Sequence, residues 1–139
     1  MFKDILIPTD GSEGAQRGIE HALDIGEKYG ARIHTLYVVD EGIYATPALS
    51  GGELFLEELQ ESGETACEEV VSAATDRGLD AVSECVRGRP HREILDYAAD
   101  HDIDLIVMGK HGASNHRHHH IGSCTDRVIR LADVPVLPV

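Results

Sequence analysis

Five short runs of apolar, β-prone residues alternate with stretches in which apolar residues recur at helical spacing. That alternation constrains the fold more than any other feature of the chain. Residues 4–9 (DILIPT) form a short apolar run closed by turn residues, which predicts a buried strand. Asp10-Gly11-Ser12 then offers capping side chains, and Ala15, Ile19, Ala22, Leu23 and Gly26 keep helical spacing up to Tyr29-Gly30. Residues 32–39 (RIHTLYVV) predict a second strand. Residues 40–52, with Gly42, Pro47, Gly51 and Gly52, predict a loop. Residues 53–77 predict an amphipathic helix with Leu59, Ala66, Val70 and Ala73 on one stripe and glutamates around it. Residues 80–87 predict an alternating strand, Gly88-Arg89-Pro90 opens a helix carrying Ile94, Leu95 and Ala98, and residues 103–108 (IDLIVM) predict a buried central strand. A loop rich in glycine and histidine precedes a helix over 123–132 and a last strand over 134–139.

Strict strand–helix alternation implies an α/β fold: a doubly wound, five-stranded parallel sheet with helices on both faces and right-handed crossovers. Ligands of such sheets bind beyond the carboxyl ends of the strands, where the strand order reverses. The loops after strands one, two and four are therefore the places for chemistry. With 139 residues and neither an internal repeat nor a linker, one domain over 1–139 is expected.

Charge narrows the partners. Twenty-five acidic residues against twelve basic ones leave a formal net charge of −13, which argues against a broad basic face for nucleic acid. Only Lys3, Lys28 and Lys110 are lysines, and an acid-rich, lysine-poor chain fits a halophilic protein working in high salt. Apolar stretches are too short to span a membrane, and the first residues lack the features of a signal peptide, so a cytoplasmic location is expected. Cys67, Cys85 and Cys124 are too few and too scattered for a disulfide framework or a zinc knuckle, and their surroundings predict small buried hydrophobes.

The most specific motif is Gly109-Lys110-His111-Gly112, then nine residues, then Gly122-Ser123. It follows a buried strand, and its far end opens a helix. Gly109 and Gly112 permit a sharp turn and close approach to a ligand. Gly122 and Ser123 present helix-start N–H groups to an anion, and the Ser123 and Thr125 hydroxyls are candidate donors to phosphate oxygens. Asp10 lies beyond a central strand's carboxyl end, placed either to meet a ribose hydroxyl or Mg²⁺ or to cap a helix.

Gly-x2-Gly-x9-Gly-Ser after an apolar strand resembles the ATP-binding signature of the universal stress protein family. The opening ILIPTDGS (5–12), LYVVD (36–40), Gly88-Arg89-Pro90, DLIVMG (104–109) and VPVL (134–137) are similar to that family's strands and turns, so the resemblance spans the chain. It implies a Rossmann-like sheet of order 3-2-1-4-5 and a stress-response module that binds ATP with Mg²⁺ or Mn²⁺. It implies that Asp10 sits near ribose and metal, that the Val38 backbone reads the adenine, and that Gly109, Gly112, Gly122, Ser123 and Thr125 hold ribose and phosphates. Pro8, Thr9, Met108, His111 and Cys124 would border the same nucleotide. It also implies a homodimer through the terminal strand 134–139, whose Pro135 and Pro138 lack donors on opposite edges, so that side chains carry the contact.

Inside the motif the chain departs from the family: four histidines fall within 116–120. They allow a divalent metal site, a phosphate contact with Arg117, or a solvated loop. Catalysis has little support, because His111 is the only candidate base near the motif and there is no G-x4-G-K-[ST] loop. The alternatives are an adenine-nucleotide hydrolase of related fold, disfavoured because Pro8-Thr9-Asp10-Gly11-Ser12 replaces S-G-G-x-D-S, and a dimeric interaction module without nucleotide.

Overall fold

The computed structural model describes residues 1–41, 52–110 and 122–139. Strands and helices alternate as β1 (Asp4–Pro8), α1 (Glu13–Tyr29), β2 (Arg32–Asp40), α2 (Gly52–Asp76), β3 (Ala81–Gly88), α3 (Pro90–Asp100), β4 (Leu105–Met108), α4 (Ser123–Leu131) and β5 (Val136–Pro138). All pairings are parallel, and the order is β3-β2-β1-β4-β5. The strand order reverses between β1 and β4, which makes their carboxyl ends the mouth of the fold.

Period-2 alternation in the central strands sorts the core into two layers. Ile5, Ile7, Leu105 and Val107 pack with Ile19 and Leu23 of α1 and Val70 and Ala74 of α2. Leu6, Ile106 and Met108 point the other way, to Ile94 and Tyr97 of α3 and Val128 of α4. Such a central strand is apolar on both sides, as its near-continuous apolar run requires.

Local chemistry sets the helix ends. Ser12 caps α1, its Oγ accepting the Ala15 N–H at 3.2 Å. Gly30 ends that helix in the left-handed conformation at φ 65°. Pro90 opens α3, where a missing N–H costs nothing. Along α1 the small residues Gly14, Gly18, Ala22 and Gly26 recur every fourth position and are all buried. They let the helix backbone settle on the sheet: a Cβ on Gly109 would lie 2.6 Å from the Gly14 carbonyl carbon.

Several boundaries differ from expectation. Residues 103 and 104 precede β4 instead of joining it: Asp102 turns at φ 52°, and the Asp104 N–H reaches the Asp4 carbonyl at 3.0 Å. The last strand is shorter than 134–139 because Pro135 has no donor, although its carbonyl accepts the Ile106 N–H at 3.0 Å. β3 does not alternate between buried and exposed: as an edge strand it is half-buried at most positions, with Ala81 against one core layer and Val86 against the other. In α2 the stripe facing the core is Leu56, Gly63, Cys67, Val70 and Ala74, with Leu59, Ala66 and Ala73 at its flanks. The predicted glutamates do face solvent. All three cysteines are free, but only Cys67 is fully buried.

A polar cluster is built into the α3 side. His34 Nε2 lies 2.9 Å from Asp4 Oδ1, and its Nδ1 lies 2.9 Å from the Tyr97 hydroxyl. Tyr97 in turn stacks on His101 at 3.8 Å between ring centroids. Both imidazole nitrogens of a buried histidine are thus satisfied, which keeps its cost low. No described helix is long and apolar enough to cross a membrane.

Candidate functional site

The turn after β1 is held by its own side chains. Thr9 N–H continues the ladder to the Leu36 carbonyl at 2.9 Å. Gly11, at φ 79°, then reverses the chain, and its N–H donates to Thr9 Oγ1 at 3.3 Å. The Ser12 N–H donates to Asp10 Oδ1 at 2.9 Å. Asp10 therefore is not the cap of α1: that role falls to Ser12. The Asp10 carboxylate is exposed at the mouth of the sheet, and its Oδ1 is engaged in the turn.

Across the mouth, β4 runs into the glycine motif. The Gly109 carbonyl accepts the Thr125 hydroxyl at 2.8 Å. The Lys110 N–H donates to the Val139 carbonyl at 2.9 Å, and the Lys110 carbonyl accepts the Gly122 N–H. The segment thus leaves and returns through a hydrogen-bonded neck. His111, Gly112 and the histidines of 116–120 lie outside the described residues. Gly122 is the N-cap of α4 and supplies no capping side chain, so the first-turn N–H groups of α4 have no such partner. Ser123 is exposed beside it, whereas Thr125 is 3% exposed.

Electrostatics ties the two walls together. The Cys124 thiol, in the first turn of α4, is pushed up to about 11, first by burial. The Asp10 and Asp40 carboxylates raise it further, and Arg127 opposes them. The carboxylates at the ends of β1 and β2 are therefore near enough to the start of α4 to act on its thiol. Val38 and Met108 belong to the apolar floor below, on the α3 and α4 side of the sheet. Pro8 is buried at the end of β1. Of the predicted residues, Pro8, Thr9, Asp10, Val38, Met108, Gly109, Gly122, Ser123, Cys124 and Thr125 all lie at the carboxyl end of the sheet or on the elements leaving it.

Full-length matches accompany this geometry. The profile described as "Universal stress protein family" matches residues 1–139. The chain belongs to that family. Universal stress protein MJ0531 of Methanocaldococcus jannaschii is 36% identical over all of this chain and 82% of its own length. The solved structure of MJ0577, from the same organism, superposes with a TM-score of 0.89 at 32% identity, covering 100% of this chain and 96% of that one. Universal stress protein UspA from Lactobacillus plantarum superposes at 0.91 with 30% identity, covering 99% and 97%. A more distant chain of the same fold, at 22% identity and TM-score 0.71 over 99% of this chain and 96% of that one, is a universal stress protein solved in complex with cAMP.

Within this universal stress protein fold, sequence reasoning missed Asp40 and Arg127. Asp40 ends a strand and reads as a solvated terminus. Arg127 reads as the polar face of a short helix. Their only signal was position: both lie on elements that leave or enter the carboxyl end of the sheet. A cavity of about 130 Å³ opens on the opposite, α1 and α2 side of the turn. Gln16, Ile19, Glu69 and Val70 line it, and it shares only Thr9 with the predicted residues. Among the described residues no group of three or more His, Cys, Asp or Glu side chains is arranged to hold a metal ion.

Proposed function

We propose that this universal stress protein is an adenine-nucleotide-binding regulatory module, with ATP as its nucleotide and a homodimer as its working form in the cytoplasm. One observation supports the reading: the glycine-capped start of α4 and the exposed Asp10 turn after β1 both lie at the carboxyl end of the sheet, where the strand order reverses. Backbone N–H groups on one wall suit phosphate, and carboxylates on the other suit ribose hydroxyls. Gly109, Gly122 and Ser123 hold phosphate and ribose, with Gly112 and His111 continuing the same loop. Pro8, Thr9, Val38, Met108 and Cys124 border the base and sugar.

Mg²⁺ or Mn²⁺ fits this donor set in one way only. Carboxylate oxygen is the right ligand for a hard cation, but the described side chains do not converge as a cage. Asp10 would hold the cation together with the nucleotide's own phosphates and water. The cation would neutralise phosphate charge beside two carboxylates. Asp10 also orients the turn through the Ser12 N–H, which fixes where that carboxylate stands.

Calorimetry with ATP, with and without Mg²⁺, followed by chromatography of bound nucleotide and products, tests the reading. Retained ATP, lost in Gly122→Val, is the expected result. Rapid AMP release would indicate a hydrolase instead. No binding by a folded chain would overturn the nucleotide reading and leave an interaction module.

A further inference from the structure

Gly109 is gripped from two sides, and neither grip involves a ligand. On the α1 side the space of its missing Cβ is occupied: a methyl there would stand 2.6 Å from the Gly14 carbonyl carbon, 2.7 Å from its oxygen and 3.0 Å from the Ala15 nitrogen. On the α4 side the Thr125 hydroxyl donates to the Gly109 carbonyl at 2.8 Å. A hydroxyl carries one hydrogen, and this one is used. Thr125 is also only 3% exposed, so a phosphate outside would meet almost none of it. Immediately afterwards the Lys110 peptide bridges the Val139 carbonyl and the Gly122 N–H. The position of Gly109 and Lys110, and that of the first turn of α4, are thus set together by two consecutive peptide groups.

We propose that Thr125 and Gly14 are positioning residues, which hold the Gly109 peptide between α4 and α1 and so set the spacing of the two walls of the site. The first glycine of the motif is then demanded by the helix behind it, and Thr125 acts through Gly109 instead of on the nucleotide. The inference rests on the nucleotide reading above for its consequence, though not for its geometry.

The test compares Thr125→Val, Thr125→Ser and Gly109→Ala in the full chain, each checked for folding by circular dichroism. Calorimetry with ATP and with AMP is the first readout. A lost strut weakens both nucleotides by the same factor, about threefold to tenfold for one hydrogen bond. Thr125→Ser restores binding to within about twofold of wild type, because it restores the donor. A loss large for ATP and absent for AMP would mean direct contact with the outer phosphates and would overturn the proposal. Hydrogen exchange of the Lys110 amide, without nucleotide, is the second readout. It should quicken about tenfold in Thr125→Val and in Gly109→Ala, and not in Thr125→Ser, while the Ile33 amide beside β3 keeps its rate. Unchanged Lys110 exchange in both disruptive variants overturns the strut. A wild-type chain that binds neither nucleotide defeats the proposed function alone, and the exchange result then decides the strut.

Discussion

Cys124 shows how a single residue reports on its surroundings. Burial and two carboxylates raise its thiol from 9.0 to about 11. An unfolded thiol releases its proton near the lower value, and the folded one holds it to the higher. Between those limits rising pH favours the unfolded chain, so this contribution to stability is complete below pH 9 and gone by pH 11. Two units correspond to about 2 to 3 kcal/mol. Cys85 and Tyr97 shift in the same direction, so the wild type is expected to weaken steeply over this range. Urea denaturation at pH 8, 9, 10 and 11 should show a shallower decline for Cys124→Ala than for wild type. Parallel declines would place the thiol in contact with water. At this scale the sequence was partly legible: Asp10 and Cys124 were named from a motif and a turn. That Asp40 is near enough to act on the same thiol depends on how far β2 runs past β1, which no local pattern encodes. The pairing of His34 with Asp4 and Tyr97 was equally hidden, because it joins three elements through side-chain directions.

Elements were the most legible level, since period and punctuation are local. Ser12, Gly30 and Pro90 mark helix ends by chemistry that needs no tertiary partner. Where the predicted stripe sits off-centre, the neighbours lie far along the chain: Leu59, Ala66 and Ala73 are half-buried at the flank, and the sheet meets Leu56, Gly63, Cys67, Val70 and Ala74. The glycines of α1 and α2 illustrate the difference by substitution. A Cβ at Gly18 would find its nearest neighbour, the Gly109 nitrogen, at 3.4 Å, an ordinary contact. Gly18→Ala should therefore stabilise the chain by about 0.5 to 1 kcal/mol through helix propensity. A Cβ at Gly63 would stand 2.6 Å from Cγ of the Tyr37 ring, inside its van der Waals envelope. Gly63→Ala should destabilise by about 1 to 3 kcal/mol despite the same gain in propensity. Chemical denaturation of both variants checks the pair, and two shifts of the same sign would contradict this packing.

At the scale of the whole molecule, an edge and a charge remain to be satisfied. On either side of β5, the Pro135 carbonyl accepts the Ile106 N–H, and Val139 bonds Met108 through its N–H and Lys110 through its carbonyl, so alternation turns the backbone groups of Val136 and Pro138 toward the open edge. Pro138 offers that edge a carbonyl and no donor. Leu137 is 37% exposed, and Ile129 and Leu131 of α4 are exposed as well. The proposed dimer would therefore be held by side chains over few backbone bonds, and Val136→Asp should convert it to monomer in light scattering at tens of micromolar. A wild type that is already monomeric there in high salt removes the dimer. The net charge of −13 makes a second demand. Melting in low salt and in molar KCl should show a higher midpoint in salt, as repulsion is screened. Equal midpoints would mean that the surface is not strained by its charge.

The hydrogen-bonded neck at Lys110 and Gly122 has a consequence for how such a protein can diversify. Where both ends of an insert are fastened to the scaffold, its length and composition are nearly decoupled from folding, and doubling a flexible loop costs only about 0.6 kcal/mol in closure entropy. Lys110 and Gly122 are such fastened ends, and the sheet beneath them keeps its register through the β4–β5 pairing. A sequence grafted between Lys110 and Gly122 would therefore be expected to leave the stability of the sheet nearly unchanged.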